Sequence, residues 1–137
     1  MKKLAVALLT ITTVSSAVGA NWVKLSKTLE FTNYLDVDSV KQANNATKQV
    51  TYTSKKDFVT NKQTSNGKTY NQIVSQSKAD CENNRRSTMS AVLYANNQVH
   101  VDSYNWSDDD WEAVVPNTVG ATEANAVCKA AGYRNKP

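Results

Sequence analysis

The sequence has very few of the residues from which metal and catalytic sites are usually built. Its 137 residues contain two cysteines and one histidine. A zinc site needs several such ligands at close spacing, and the chain has no Cys-x-x-Cys pair and no second histidine. Without a nearby nucleophile, the lone His100 does not form a catalytic pair. We therefore expect a protein that is not an enzyme and that carries no metal or cofactor.

The sequence also lacks an apolar run long enough to span a bilayer. Its amino-terminal run covers residues 4–14, whereas a transmembrane helix needs about 20 apolar residues. A basic start at residues 1–3 and a small-residue stretch ending at Ala20 make this run typical of a secretory signal peptide. We expect residues 1–20 to be a signal peptide and residues 21–137 to form one exported domain.

The first residue after the predicted cleavage is Asn21. A bacterial lipoprotein has a cysteine at that position for lipid attachment. We therefore expect an exported protein without a lipoprotein cysteine or a membrane span, in the periplasm or at the cell surface. Removal of Lys2 and Lys3 lowers the formal net charge from +4 to +2. This small charge argues against nucleic acid as the partner.

Two cysteines in an exported chain predict a disulfide, because the compartment is oxidising. Cys81 and Cys128 allow only one pairing within the chain. In the chain-entropy model, a loop of this length is worth roughly 4 kcal/mol of stability. For a small domain that is a large share of the total.

Alternating apolar and polar residues predict about six antiparallel strands. Short polar turns separate them, and Asn66-Gly67 is the strongest turn signal. Such turns favour pairing of strands in sequence order. The expected strands cover residues 21–26, 28–36, 47–58, 68–79, 85–95 and 98–104, with a bend or a new strand start within residues 37–42 and a polar loop at 60–68. The charged residues Lys55, Lys56 and Asp57 are expected to end the third strand.

One helix is predicted near the carboxyl terminus. Asn117 or Thr118 can cap its start, and Gly132 can end it. One face carries small and apolar residues at spacings of three and four: Gly120, Ala124, Val127, Cys128 and Ala131. The predicted fold class is α+β, a single antiparallel meander-like β-sheet of about six strands with a C-terminal α-helix packed on it and tethered by the disulfide.

Four motifs follow one another along residues 21–137. They are Asn21-Trp22-Val23, Tyr34-Leu35-Asp36 before Asp38-Ser39-Val40, Asp80-Cys81 before Arg85-Arg86, and Trp111 with residues 115–119 before the helix that carries Cys128. Their order and spacing resemble the bacterial surface-adhesin protein E family of small exported domains. The resemblance implies an antiparallel sheet with a carboxy-terminal helix held by a disulfide. It also implies, for the best-known members, surface attachment and binding of host proteins such as vitronectin and laminin.

Two functions remain open at this point. The first is an exported, non-enzymatic binding protein that attaches to host extracellular-matrix proteins. The second is a periplasmic envelope protein that inhibits or chaperones another secreted protein. Both have a protein partner, and self-association into a homodimer is open in either.

The candidate protein-binding residues are basic or aromatic: Lys55, Lys56, Arg85, Arg86 and Trp106. Strand alternation places Arg85 and Arg86 on opposite faces. We expect one to pair with Asp80 or a helix-end carbonyl. The other is expected to join Lys55, Lys56 and Lys62 in a basic surface that attracts acidic protein segments or glycosaminoglycans.

Trp106 and Trp111 flank the acidic triplet of residues 108–110. Trp106 is either an exposed recognition residue or a cover for the core, and Trp111 is expected to cover the core. The triplet lacks the ligand spacing of a calcium loop, so we expect a solvated acidic loop. His100 is expected to be a solvent-facing or sheet-packed residue on an alternating strand.

Overall fold

The computed structural model describes residues 20–107 and 109–133. Residues 1–19 of the predicted signal peptide and Asp108 of the acidic triplet lie outside the described residues. The elements are β1 (Trp22–Lys27), β2 (Phe31–Asn44), β3 (Gln49–Gln63), β4 (Thr69–Asp80), β5 (Arg85–Ala95), a 3-10 turn (Asn96–Gln98), β6 (Val99–Asn105), β7 (Glu112–Ala113) and α1 (Val119–Ala130). No helix in the described ranges is long and apolar enough to cross a membrane.

The strands form one antiparallel sheet in the order β1-β2-β3-β4-β5-β6. This confirms the predicted meander of six strands. The short β7 is an addition that pairs with Arg85 and Arg86 at the start of β5. At the predicted turn, Gly67 has a φ of +77°, which a residue without Cβ adopts readily. Asn97 has a φ of 62° in the turn between β5 and β6.

Two strands extend beyond their predicted ends. β2 continues through the predicted bend. Its pairing with β3 shifts register between Asp36 and Lys41, which accommodates the irregular residues within the strand. β3 continues past Lys55 and Lys56, so the prediction that these charges end the strand is wrong. Their ammonium groups lie over aromatic rings, with Lys55 Nζ 4.9 Å from the ring centre of Trp22 and Lys56 Nζ 4.8 Å from that of Phe31. Long lysine stems can thus lie on the sheet while their charge is stabilised by the rings.

The helix packs on one face of the sheet, mainly over β1 to β4. Thr118 caps it, since its Oγ1 accepts a hydrogen bond from the Ala121 amide at 3.2 Å. The core between helix and sheet contains Leu35, Val50, Tyr52, Ala79, Cys81, Val127 and Cys128. The predicted disulfide is present, with Cys81 and Cys128 joined at an S–S distance of 2.06 Å. The predicted α+β fold with a tethered helix is therefore confirmed.

Candidate binding site

The helix covers only part of the face on which it packs. One row of the strand register crosses this face through Leu35, Ser54, Ser75, Ala91 and Tyr104. Cross-strand partners share a face, so all five side chains lie on the helix side. Leu35 lies in the core against the helix, whereas Tyr104 is 38% exposed. The part of this face around Tyr104, toward the β6 edge, is thus left for another contact.

An apolar groove lies on this uncovered part. It holds about 240 Å³ and is lined by Thr64, Tyr70, Ile73, Ala91, Leu93, Tyr104 and Trp106. We call it the aromatic groove. Ala91 and Leu93 form its floor and are buried, whereas Tyr104 and Trp106 form an exposed wall. Apolar grooves with exposed aromatic residues are typical of protein-binding surfaces.

The wall of the groove is a pair of stacked aromatic rings. The ring centres of Tyr104 and Trp106 are 5.9 Å apart, with an angle of 26° between their planes. The backbone amide of Trp106 donates to the Met89 carbonyl at 2.9 Å, which holds its position at the end of β6. Trp106 is 48% exposed. Of the two roles left open for Trp106, its position favours an exposed recognition residue.

A second, polar hollow shares Trp106 with the groove. We call it the acidic hollow. It holds about 290 Å³ and is lined by Thr88, Trp106, Asp110 and Glu112. Neither Asp110 nor Glu112 forms an ion pair with any residue that the structure describes. Trp106 therefore lines both an apolar compartment and an acidic one.

Beneath the helix, a buried carboxylate joins three strands. Asn33 Nδ2 donates to Glu123 at 2.9 Å, and the Tyr52 hydroxyl donates at 2.8 Å. Arg86 Nη1 lies 3.3 Å from the same carboxylate. Burial, followed by the charge of Glu123, raises the pKa of Tyr52 far above its usual value. The network therefore joins the helix to the sheet with a neutral tyrosine.

Arg86 lies directly under the helix at Gly120. A Cβ at Gly120 would lie 3.3 Å from Arg86 Cζ, so the glycine leaves room for the guanidinium. Lys56 lies near this network, and burial is the largest cause that lowers its pKa below the usual value. Arg86 and Lys56 are thus partly withdrawn from solvent on the helix side of the sheet.

Arg85 and Lys55 lie on the opposite face. Arg85 Nε donates to Asp80 at 3.0 Å, which confirms the expected pairing of one arginine with Asp80. Its guanidinium carbon is 4.6 Å from the ring centre of Trp111. Trp111 therefore contacts a charged face and not the core that it was expected to cover. Lys55 Nζ lies 3.5 Å from Asp57 Oδ2 and over the ring of Trp22.

The five candidate residues are therefore not brought together. Lys55 and Arg85 lie on one face, Lys56 and Arg86 on the other, and Trp106 stands at the end of β6. All four basic side chains contact an aromatic ring or a carboxylate of the protein itself. Only Trp106 belongs to the groove.

Another hollow, of about 480 Å³, lies near the irregular part of β2. It is lined by Asp36 and Asp38 among other polar residues. Asp36 Oδ1 accepts from the backbone amides of Asn21 and Asp38, both at 3.1 Å. This carboxylate is thus used to hold the local backbone. Within the described ranges, no group of three or more His, Cys, Asp and Glu side chains could hold a metal ion.

Sequence reasoning missed Glu123, Tyr70 and Tyr104. Glu123 is 2% exposed and lies on the buried helix face next to Ala124. Glu123 is four residues before Val127, and this spacing places it on the same, buried helix face. It was not selected because a carboxylate is rarely buried in a core. Tyr70 and Tyr104 belong to strands at opposite ends of the groove, and only the sheet register relates them.

Comparison with known proteins adds to this geometry. The profile of the family described as surface-adhesin protein E matches residues 22–129. A search of the curated proteins found no significant match. A solved structure of Haemophilus influenzae protein E is similar at a TM-score of 0.59 and 14% identity, over 83% of this chain and 86% of that chain. A selenomethionine form of that protein has a TM-score of 0.59 and 12% identity, and the match covers 80% of this chain and 87% of that chain. The structure of protein E from non-typeable Haemophilus influenzae has a TM-score of 0.51 and 13% identity. This match covers 88% of this chain and 85% of that chain.

Proposed function

Because this chain belongs to the surface-adhesin protein E family, we propose that it is an exported, non-enzymatic adhesion protein that binds host extracellular-matrix proteins of the vitronectin or laminin type. The observation that carries the proposal is the aromatic groove with its exposed Tyr104 and Trp106 wall. Aromatic anchors supply much of the binding energy in protein interfaces. The binding surface is the part of the sheet that the helix leaves open.

The groove replaces the predicted basic surface as the main contact in this proposal. Trp106 is the one predicted residue that lines it. Lys55, Lys56, Arg85 and Arg86 support the two faces of the sheet through contacts within the protein. We expect substitution of these four residues to lower the free energy of unfolding and to have a smaller effect on binding affinity.

Replacement of Trp106 by alanine tests the site. We expect Trp106→Ala to weaken binding to immobilised vitronectin or laminin by about tenfold or more, because a central aromatic anchor is lost. Leu29→Ala is the matched control, since Leu29 is 98% exposed, lies between β1 and β2 and does not line the groove. Binding is measured by surface plasmon resonance at two salt concentrations. If the two variants bind with equal affinity, the groove is not the binding site.

The periplasmic alternative is supported by the same surface. An open groove beside an edge strand also suits a protein that captures or inhibits another secreted protein. Protease treatment of intact cells separates the two. Loss of the protein from intact cells supports the adhesion protein, whereas loss only after lysis supports the periplasmic partner.

A further inference from the structure

The aromatic groove lies beside an open edge of the sheet. β6 pairs with β5 on one side, and no described strand pairs with its other side. An edge strand presents unpaired backbone amide and carbonyl groups that can accept another strand. Asp102 and Tyr104 are paired with Leu93 and Ala91, so they project to the helix side. A strand added to β6 would therefore place every second side chain at the groove.

The charges at the carboxyl end of this edge are negative. Asp110 and Glu112 line the acidic hollow just beyond the end of β6. Asp102 lies on β6 itself, 3.9 Å from Lys68 Nζ. Hydrogen bonding from the Ser103 amide is the largest cause that holds the pKa of Asp102 below its usual value. The two carboxylates of the acidic hollow, which have no such lysine partner among the described residues, therefore attract a cation and disfavour an acidic segment.

We propose that this site takes an extended basic segment of a partner protein, added to β6 as an antiparallel strand. Antiparallel pairing puts the amino end of the added segment beside Asn105, next to Trp106 and the acidic hollow. The segment therefore carries Lys or Arg at its amino end and apolar residues at alternate positions after it. The cation enters the acidic hollow, and an apolar side chain packs against the Tyr104 and Trp106 rings.

This inference rests on the proposed function only for the identity of the partner. The groove, the open edge and the carboxylates predict the chemistry of the segment without it. A matrix protein would supply the segment from an exposed or flexible region. The segment binds through backbone hydrogen bonds for affinity and through its charge and alternate apolar side chains for specificity.

Three synthetic peptides test the segment. The first has two basic residues followed by alternating valine and threonine, the second has two glutamates in place of the basic pair, and the third has the basic pair at its carboxyl end. Each is titrated into isotope-labelled protein by NMR. We expect the first to bind at least about tenfold more tightly than the others, and to slow amide exchange in residues 99–105. Equal binding of the acidic peptide, or unchanged exchange in β6, overturns the inference.

Neutral variants test the two compartments separately. We expect Asp110→Asn with Glu112→Gln to weaken binding of the first peptide by about tenfold and to reduce its salt dependence. The matched control is Glu30→Gln with Asp38→Asn, two exposed carboxylates that line neither the groove nor the acidic hollow. Trp106→Ala should weaken all three peptides, because it removes the apolar contact. An unchanged affinity in the Asp110 and Glu112 double variant contradicts the proposed polarity.

The outcomes distinguish this inference from the proposed function. If matrix proteins bind but the first peptide does not, the adhesion function stands and the strand-addition mode is wrong. If the peptide binds with the predicted polarity but matrix proteins do not, the site stands and the partner is another secreted protein. Circular dichroism of each variant confirms that the fold is intact before binding is compared.

Discussion

At the scale of single residues, buried polar groups hold this small domain in one arrangement. Glu123 accepts from Asn33 and Tyr52 and pairs with Arg86. These partners come from β2, β3 and β5, so one carboxylate orders three strands against the helix. Its removal leaves their polar groups buried without a partner, which is the more costly change in a protein interior.

We expect Glu123→Ala to lower the free energy of unfolding by about 3 kcal/mol or more, because Arg86 is left as an uncompensated, mostly buried charge. Urea denaturation at pH 7 measures the change. Thr122→Ala, at an exposed neighbouring position of the helix, is the control and should change stability by less than about 1 kcal/mol. A loss as small as that of the control would show that the network does not stabilise the fold.

Asp80 should make stability depend on pH in the acid range. Burial alone would raise its pKa, but hydrogen bonds from Asn83 and Arg85 outweigh it and hold the pKa below its usual value. The ionised form is thus favoured in the folded state. Its contribution is fully present above the unfolded pKa of about 4 and is lost as the pH falls through the lower folded pKa.

We therefore expect Asp80→Asn to lower the free energy of unfolding by about 2 kcal/mol at pH 7, since charge-assisted hydrogen bonds from the Glu82 and Asn83 amides are weakened. The difference from the unaltered protein should shrink below about pH 4. Denaturation curves at pH 7, 5 and 3 measure it. A difference that stays constant over this range contradicts the assignment to the ionised carboxylate.

At the scale of elements, the helix start depends on a single cap. The helix is only Val119–Ala130, and small residues on its packed face limit how much apolar area it buries. Thr118 Oγ1 accepts from Ala121, which satisfies one amide that has no partner within the helix. The preceding Asn117 has a φ of 61°, so the chain turns sharply into the cap.

We expect Thr118→Ala to lower the free energy of unfolding by about 1 kcal/mol, the usual effect of removing an N-cap. Thr118→Ser should restore most of it, since serine keeps the accepting oxygen. Thermal denaturation followed by circular dichroism compares the two variants. Equal stability of the alanine and serine variants would rule out the cap as the cause.

At the scale of the whole molecule, the disulfide connects the helix to the start of the turn after β4. Cys81 and Cys128 are 47 residues apart in sequence and both are buried. In the loop-closure view, their bond restricts the unfolded chain over more than a third of its length. The same bond holds the helix on one part of the sheet and leaves the part around Tyr104 open.

We expect the double variant Cys81→Ala and Cys128→Ala to lose roughly 4 kcal/mol of stability. Guanidinium denaturation of the oxidised protein and the double variant measures the loss. Mass spectrometry of the exported protein should find no free thiol. A stable double variant with an unchanged denaturation midpoint would contradict this role.

The sequence by itself determined the order of the strands, the helix and the cysteine pair, because these depend on local patterns. Alternation predicts a strand, an Asn-Gly turn connects neighbours, and two cysteines have one partner each. The span of β5 at residues 85–95 was predicted as the structure has it. β2 and β3 were predicted too short. The bulge after Asp36 depends on pairing with β3, and the rings beside Lys55 and Lys56 belong to β1 and β2, so neither feature is visible in the sequence of the strand itself.

Only the tertiary structure decided which side chains serve the fold and which face a partner. Glu123 meets Asn33 across 90 residues of sequence, and no local pattern relates them. The aromatic groove likewise needs the register that brings Tyr70, Leu93 and Trp106 to one surface. Register and helix placement are set by packing of the whole core, so they become visible only when all the strands are assembled. Lys55, Lys56, Arg85 and Arg86 are conspicuous in the sequence, but the fold places them beside its own rings and carboxylates.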